Sequence, residues 1–258
     1  MAKADRSFFR GSFTEPREGV EWSDWVDWSG CDWPAISRAL EHEGVAVLPG
    51  ALARSACGAL AASFEENGLF RSRIDMARHG FGHGEYVYFR YPLPPFVEYL
   101  RGFLYERLVS DARAFVEAMG RPDGFSLPAT LGEFRRRCEI AGQKRPTPLL
   151  LRYRAGDFNC LHRDLYGAVQ FPLQAAVLLS EPGDDFEGGE FVLVENRPRQ
   201  QSRARVVAAR RGDVIVFPNH ERPVRGARKV LRAGVRHGVS PVTRGERYVL
   251  GIIFHDAE

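Results

Sequence analysis

The stretch LLRYRAGDFNCLHRDLYG, residues 150–167, decides the fold. Leu151, Arg152, Tyr153 and Arg154 alternate apolar and polar, which reads as a strand running to Gly156 with Tyr153 facing inward. Just beyond it stand His162 and Asp164, separated by one residue. In extended chain residues i and i+2 share a face, so both side chains point the same way. Such a pair alone also fits a hydrogen-bonded surface turn, so its meaning depends on the flanking chain.

Downstream, short apolar runs follow at close intervals: FPLQAAVLLS (171–180), GGEFVLVE (188–195), RARVVAAR (203–210), GDVIVFPN (212–219), VRHGVSPV (235–242) and RYVLGIIFH (247–255). They are rich in β-branched and aromatic residues and bounded by Gly, Pro, Asp and Asn. Seven or eight strands without intervening helices predict a sandwich or jelly roll. The two glycines of GGEFVL and the Gly212-Asp213 pair read as turn-formers.

Upstream the reading is mostly helical. PAISRALEHEG (34–44), ALARSACGALAASFEENG (51–68) and PFVEYLRGFLYERLVSDARAFVEAMG (95–120) each stop at glycine, and the third carries an apolar stripe. Between the last two lies RHGFGHGEYVYFRYPLPP (78–95), loop-like in composition and a candidate substrate lid, or else a surface loop with a short hairpin. The expected organisation is mainly β with α. A helical N-terminal region (1–145) packs on a double-stranded β-helix, or jelly-roll, core (146–258), the two forming one integrated domain.

Composition supports an ordered chain: 258 residues, 44% hydrophobic and 12% aromatic, with a net charge of +3. Only Lys3, Lys144 and Lys229 are lysines, so nearly all positive charge is arginine, the side chain suited to forked contacts with phosphate or carboxylate. A GC-rich genome would produce the same bias. Cys31, Cys57, Cys138 and Cys160 are scattered and read as reduced thiols. The first residues lack a secretory apolar run and no stretch reaches transmembrane length, so the expected location is cytoplasmic, without a membrane.

RHGVSPVTRGER (236–247) adds a histidine on a distant strand, and two histidines with one carboxylate form a facial triad that leaves positions of an octahedral ferrous ion open. His220 and His255 compete with His237 for the third place. His237 is preferred because Arg247, ten residues on, opens an apolar strand, whereas Arg228 follows His220 at eight residues in a segment that reads as exposed.

The order HxD, a long gap, His, then a basic residue resembles the Fe(II)/2-oxoglutarate-dependent dioxygenase superfamily, on His162, Asp164, His237 and Arg247. The similarity runs over residues 149–256, through YRAGDFNCLHRD, GGEFVL, GDVIVF and HGVSPVTRGERYVLGIIFHD. FNCLHRDLYG, FPLQ, VRHGVS and LGIIFHD further resemble a bacterial family of oxygenases acting on damaged, alkylated nucleic acid. The resemblance implies Fe(II), 2-oxoglutarate as cosubstrate and dioxygen. His162, Asp164 and His237 would be the metal ligands and the catalytic centre. Arg247 would take the distal carboxylate of the cosubstrate, with Tyr153 and Asn159 as further cosubstrate contacts. The implied reaction is C–H hydroxylation; on an N-methyl group this ends in loss of formaldehyde.

The substrate is less legible. Residues 197–232 hold ten arginines and Lys229 against Asp213 and Glu221, whereas 181–195 hold six acids and no base. A concentrated arginine face is the footprint of a nucleic-acid binder, DNA or RNA. It also suits a solvated edge strand. Tyr86, Tyr88 and Arg90, with His220 at a rim, are candidate substrate contacts, because aromatic side chains interleaved with arginine can stack a flipped base. Alternatives are a hydroxylase of a protein side chain or small molecule, and a non-catalytic jelly-roll ligand sensor. VEWSDWVDWSGCDW (20–33) holds all four tryptophans and is expected to pack one helical face onto the body.

Overall fold

A computed structural model describes residues 22–120, 127–226 and 229–258. Among the described residues, four α-helices form where the sequence carries caps and stripes. α1 (Trp33–Glu43) begins at Asp32, whose carboxylate accepts from Ala35 N, and ends at Gly44 with φ of 73°. α2 (Arg54–Ala62) is shorter than its Ala/Leu-rich stretch and frays into 3-10 turns. α3 (Pro95–Ala118) buries Phe96, Leu100, Leu104, Leu108 and Phe115 along one face. α4 (Leu131–Ile140) was not expected from the sequence, although Thr130 and Glu133 mark its start: the Thr130 hydroxyl accepts from Glu133 N.

Fourteen strands follow in chain order among the described residues. The N-terminal half carries β1 (Ala46–Leu48), β2 (Phe70–Asp75), β3 (Gly82–His83) and β4 (Glu85–Phe89). Then come β5 (Leu149–Arg154), β6 (Phe158–His162), β7 (Leu173–Leu178), β8 (Phe186–Gly188) and β9 (Phe191–Asn196). β10 (Arg203–Val207), β11 (Val214–Pro218), β12 (Glu221–Arg225), β13 (Val230–Val239) and β14 (Val242–Ile253) complete the series. The larger sheet runs β1-β11-β7-β14-β5-β4-β2 with β8 on β14; the smaller runs β10-β9-β13-β6-β3 with β12 on β13. From β5 onward the chain crosses repeatedly between two antiparallel sheets, the double-stranded β-helix expected.

The larger sheet is covered on both faces, and its central strands show why. In β7 every residue is buried. Leu173, Ala175 and Val177 face the helices, where they join Leu104, Leu108 and Phe134; Ala176 and Leu178 face the barrel interior with Phe191 and Val249. Arg101 of α3 staples the helical layer to the chain end. Its buried guanidinium donates to Ile253 O at 3.0 Å, to Phe254 O at 2.9 Å and to Asp256 at 2.7 Å.

Three expectations need correction. Within residues 78–95, Glu85–Phe89 is no part of a loose lid: β4 lies inside the larger sheet between β2 and β5, and Val87 and Phe89 are fully buried. Alternating Tyr86, Val87, Tyr88 and Phe89 is a strand signal that the surrounding Gly and Pro obscured. The boundary drawn at 145 runs through one sheet, since β1 pairs with β11 and β4 with β5 across it. The tryptophans do not share a helix either. Only Trp22–Asp24 makes a 3-10 turn. The rings do pack onto the body, against α3, with Trp22 and Trp25 each 5.0 Å from Phe96 and Trp28 stacked 4.6 Å from Phe103.

Candidate active site

The two sheets bring the ends of β6 and β13 together at one mouth of the barrel. The pairing sets His237 directly opposite His162, with ring centroids 4.2 Å apart. Gly238 makes the approach possible: a Cβ there would lie 2.6 Å from the carbonyl oxygen of Asn159. Asp164 follows β6 and closes the group. Its Oδ2 is 3.2 Å from His237 Nε2 and its Oδ1 is 3.6 Å from His162 Nε2. One donor atom from each of the three residues lies within 4.8 Å of the others.

The donor set fits a small hard-to-borderline cation. His162 Nδ1 donates to Cys160 O at 2.8 Å, which leaves the Nε2 lone pair free toward Asp164 and His237. Burial, then the neighbouring His237, pushes the His162 pKa down and keeps the imidazole in its ligating neutral form. Burial alone would raise the Asp164 carboxyl. The hydrogen bond with His237, the closeness of both imidazoles and the hydrogen bond from the Tyr166 hydroxyl overcome it and hold the group ionised. Tyr166 donates to Asp164 Oδ1 at 2.8 Å, and Tyr88 donates in turn to Tyr166 at 3.1 Å.

A cavity of about 400 Å³ opens from this group into the barrel. Arg247 lies in it, cross-strand from Tyr153 and 5.6 Å from that ring. It is 3% exposed, and its Nε and Nη1 have no partner among the described residues. Burial lowers its pKa to about 10, opposed only by Tyr153 and Glu190. A buried guanidinium without an acid is costly and calls for an anionic ligand. Burial likewise raises Tyr153 to about 12, so its hydroxyl stays protonated; it accepts from Asn159 Nδ2 at 3.2 Å. The second glycine of GGEFVL does more than turn the chain: a Cβ on Gly189 (φ 63°) would sit 3.0 Å from Arg247 Cδ.

The cavity also gathers residues that sequence reasoning missed, notably Tyr166, Gln174, Phe191, Phe217 and Ile253. Gln174 did carry a signal, as the single amide in an otherwise apolar strand. Tyr86 and Tyr88 line the cavity. Arg90 and His220 do not: Arg90 is exposed where the chain leaves β4, and His220 sits beside Glu221 at 3.3 Å. His255 is fully buried with its Nδ1 accepting from Phe171 N at 3.4 Å.

The arginine-rich segment looks different in space. The acidic stretch folds against it and neutralises much of it. Glu195 takes Arg197 and Arg222 at 2.6 Å each, Glu181 and Asp185 take Arg211, and Glu43 of α1 takes Arg205. Arg232 donates to Met119 O. Arg199, Arg203, Arg210 and Arg225 remain exposed, and Arg228 lies outside the described residues. No described helix is long and apolar enough to cross a membrane.

Residues 84–257 match the family model Oxygenase-NA, described as an oxygenase catalysing oxidative methylation of damaged DNA. The chain belongs to this family. It is an oxygenase of the kind that uses Fe(II), 2-oxoglutarate and dioxygen, the cofactors for which the triad and Arg247 form a fitting site. An uncharacterized protein of Mycobacterium tuberculosis, Rv2227, is 45% identical over 166 residues, covering 64% of this chain and 70% of that protein. Two solved structures share the fold. A prolyl hydroxylase from Trichoplax adhaerens, in complex with a hypoxia inducible factor peptide, superposes with a TM-score of 0.54 at 14% identity, covering 87% of this chain and 89% of that one. A Pseudomonas putida prolyl-4-hydroxylase gives a TM-score of 0.51 at 15% identity, covering 85% and 96%.

Proposed function

We propose that this oxygenase removes N-methyl groups from damaged nucleic-acid bases by hydroxylating the methyl carbon, within the cytoplasm. The observation that carries the reading is the shape of the site: a metal-ligating triad and an unpaired arginine share one cavity whose other walls are aromatic and aliphatic. The family match to oxygenases of damaged DNA supports this substrate class.

His162, Asp164 and His237 would hold the ferrous ion, and Arg247 would fork onto the distal carboxylate of 2-oxoglutarate through its two unpaired nitrogens. When bound, the metal and cosubstrate supply the oxidant for one C–H bond. The chain does the rest. Tyr153 and Asn159 form a hydrogen-bonded pair beside Arg247 that orients the cosubstrate. Tyr166 fixes Asp164. Leu149, Leu151, Val249 and Phe217 line the cavity and exclude water. A hydroxylated N-methyl carbon releases formaldehyde without a protein nucleophile. Phe81 and Leu161, exposed at 47% and 40%, border the opening and give an entering base an apolar rim.

One observation favours a second reading, hydroxylation of a small molecule or protein side chain. Four of the ten arginines of 197–232, Arg197, Arg205, Arg211 and Arg222, are engaged by Glu43, Glu181, Asp185 and Glu195 rather than free for phosphate. The test is succinate and formaldehyde release with iron, ascorbate and 2-oxoglutarate. Methylated single- and double-stranded oligonucleotides would be run beside peptide and metabolite pools. Formaldehyde released only with methylated oligonucleotides is the expected result, with binding that weakens steeply in salt. Turnover with peptides or metabolites alone would replace the reading with the second.

A further inference from the structure

The cavity has two chemically distinct ends, and strand register shows which is which. Arg247, midway along β14, and Ile253, at its end, face the interior about 20 Å apart at strand rise. Arg247 marks the cosubstrate end. At the other end Gln174 of β7 is cross-strand from both Ile253 and Phe217, and Phe217 lies 4.9 Å from the His237 ring. Ile253 packs there in one cluster with Tyr88, Leu149 and Tyr166.

Two observations define what this end can hold. The first is aromatic geometry. Tyr86 and Tyr88 meet at 85° with centroids 5.4 Å apart, and Tyr88 and Tyr166 meet at 89° and 6.4 Å. These perpendicular rings, all lining the cavity, make a corner suited to a flat ring rather than a branched aliphatic chain. The second is a single unsatisfied polar atom. Gln174 is 3% exposed, and its Nε2 has no partner among the described residues. A buried amide with no acceptor is unfavourable unless a ligand completes it. An aliphatic ligand would leave it unpaired; a heteroaromatic ring with a polar edge would not.

We propose that the end of the cavity remote from Arg247 receives one planar heteroaromatic ring, and that the carboxamide of Gln174 hydrogen-bonds its polar edge. The inference rests on the nucleic-acid reading above and names the residue that would distinguish one base from another. Only an unpaired or flipped base reaches this depth.

The full chain, loaded with Mn(II) and 2-oxoglutarate so that nothing turns over, is titrated with 1-methyladenosine, 3-methylcytidine and 1-methylindole by ligand-observed NMR. 1-Methylindole has the ring without the polar edge. The wild-type protein should prefer the nucleosides. Gln174→Leu should weaken nucleoside binding by about tenfold, the loss of one hydrogen bond, and leave 1-methylindole unchanged, so that the preference disappears. Gln174→Met, unbranched and closer in shape, serves as a second variant, and wild-type melting temperatures confirm that both fold. Equal nucleoside affinity in wild type and variants, or no ring binding at all, overturns the proposal. Turnover of methylated oligonucleotides in the same preparation separates the two readings. Turnover without ring binding removes this inference alone. Ring binding that depends on Gln174 without oligonucleotide turnover removes the nucleic-acid reading and leaves the ring-binding end standing.

Discussion

His237 of β13 stands in antiparallel register with His162 of β6, and the two imidazoles lie 4.2 Å apart, centroid to centroid. Residues 75 positions apart in sequence become cross-strand neighbours, with Asp164 within reach of both. A strand pair, not a loop, sets the spacing of the two imidazoles, so the site inherits the rigidity of the smaller sheet.

Replacing Arg247 separates cosubstrate binding from folding. Arg247→Met should raise the 2-oxoglutarate concentration needed for half-maximal turnover by about 100-fold, from ~2–3 kcal/mol of lost charge-assisted hydrogen bonds. The same variant without ligand should melt no lower than wild type, because it removes a buried and unpaired charge. Added 2-oxoglutarate should raise the melting temperature of the wild-type protein and not of the variant.

Tyr166 acts through Asp164. Tyr166→Phe deletes one hydrogen bond to Oδ1 and leaves the ring in place. Metal affinity should fall by about 10-fold, as such supporting contacts do elsewhere. Titration with Mn(II), followed by electron paramagnetic resonance, reads this directly. An unchanged affinity would show that Tyr166 only packs.

The helical layer depends on Arg101. Its pair with Asp256 is buried on both sides, at 2.7 Å. Arg101→Met should cost about 3–5 kcal/mol in denaturant unfolding, since the carboxylate is left without its partner. Arg154, paired with Glu246 at the exposed surface, provides the contrast: Arg154→Met should change stability by well under ~1 kcal/mol.

Much of the core could be read from the sequence because its signals are local. Each of the seven candidate strands matches an observed one, since alternation and flanking turns survive burial. β6 was overlooked because Phe158–His162 is half exposed and carries no apolar alternation. β1, β2 and β4 were overlooked because they lie among helices and glycines, and their pairing partners are far away in the chain. The HxD pair and His237 carried a spacing signal. Gln174 and Tyr166 carried none strong enough alone, because their place in the cavity depends on register between strands. The charge pattern misled for the same reason: two oppositely charged segments separated in sequence meet in space, as Glu195 and Arg222 do at 2.6 Å.

Acid should unfold the protein partly through His255. Burial lowers its pKa to about 3, with Arg101 and His220 acting the same way and Asp164 opposing. The folded form therefore keeps it neutral, while the unfolded chain protonates it below about pH 6.5. Stability from this group is complete above that value and lost as pH falls, by roughly 1.4 kcal/mol per unit down to about pH 3. Denaturant unfolding at stepped pH should show a shallower loss in His255→Gln than in wild type.

The central claim is that His162, Asp164 and His237 hold one metal ion. Mn(II) titration of the full chain, followed by electron paramagnetic resonance, tests it most directly. The wild-type protein should bind one ion, and Asp164→Ala and His237→Ala should each abolish that binding while keeping the wild-type circular dichroism spectrum. A single ion bound with undiminished affinity by either variant would contradict the account.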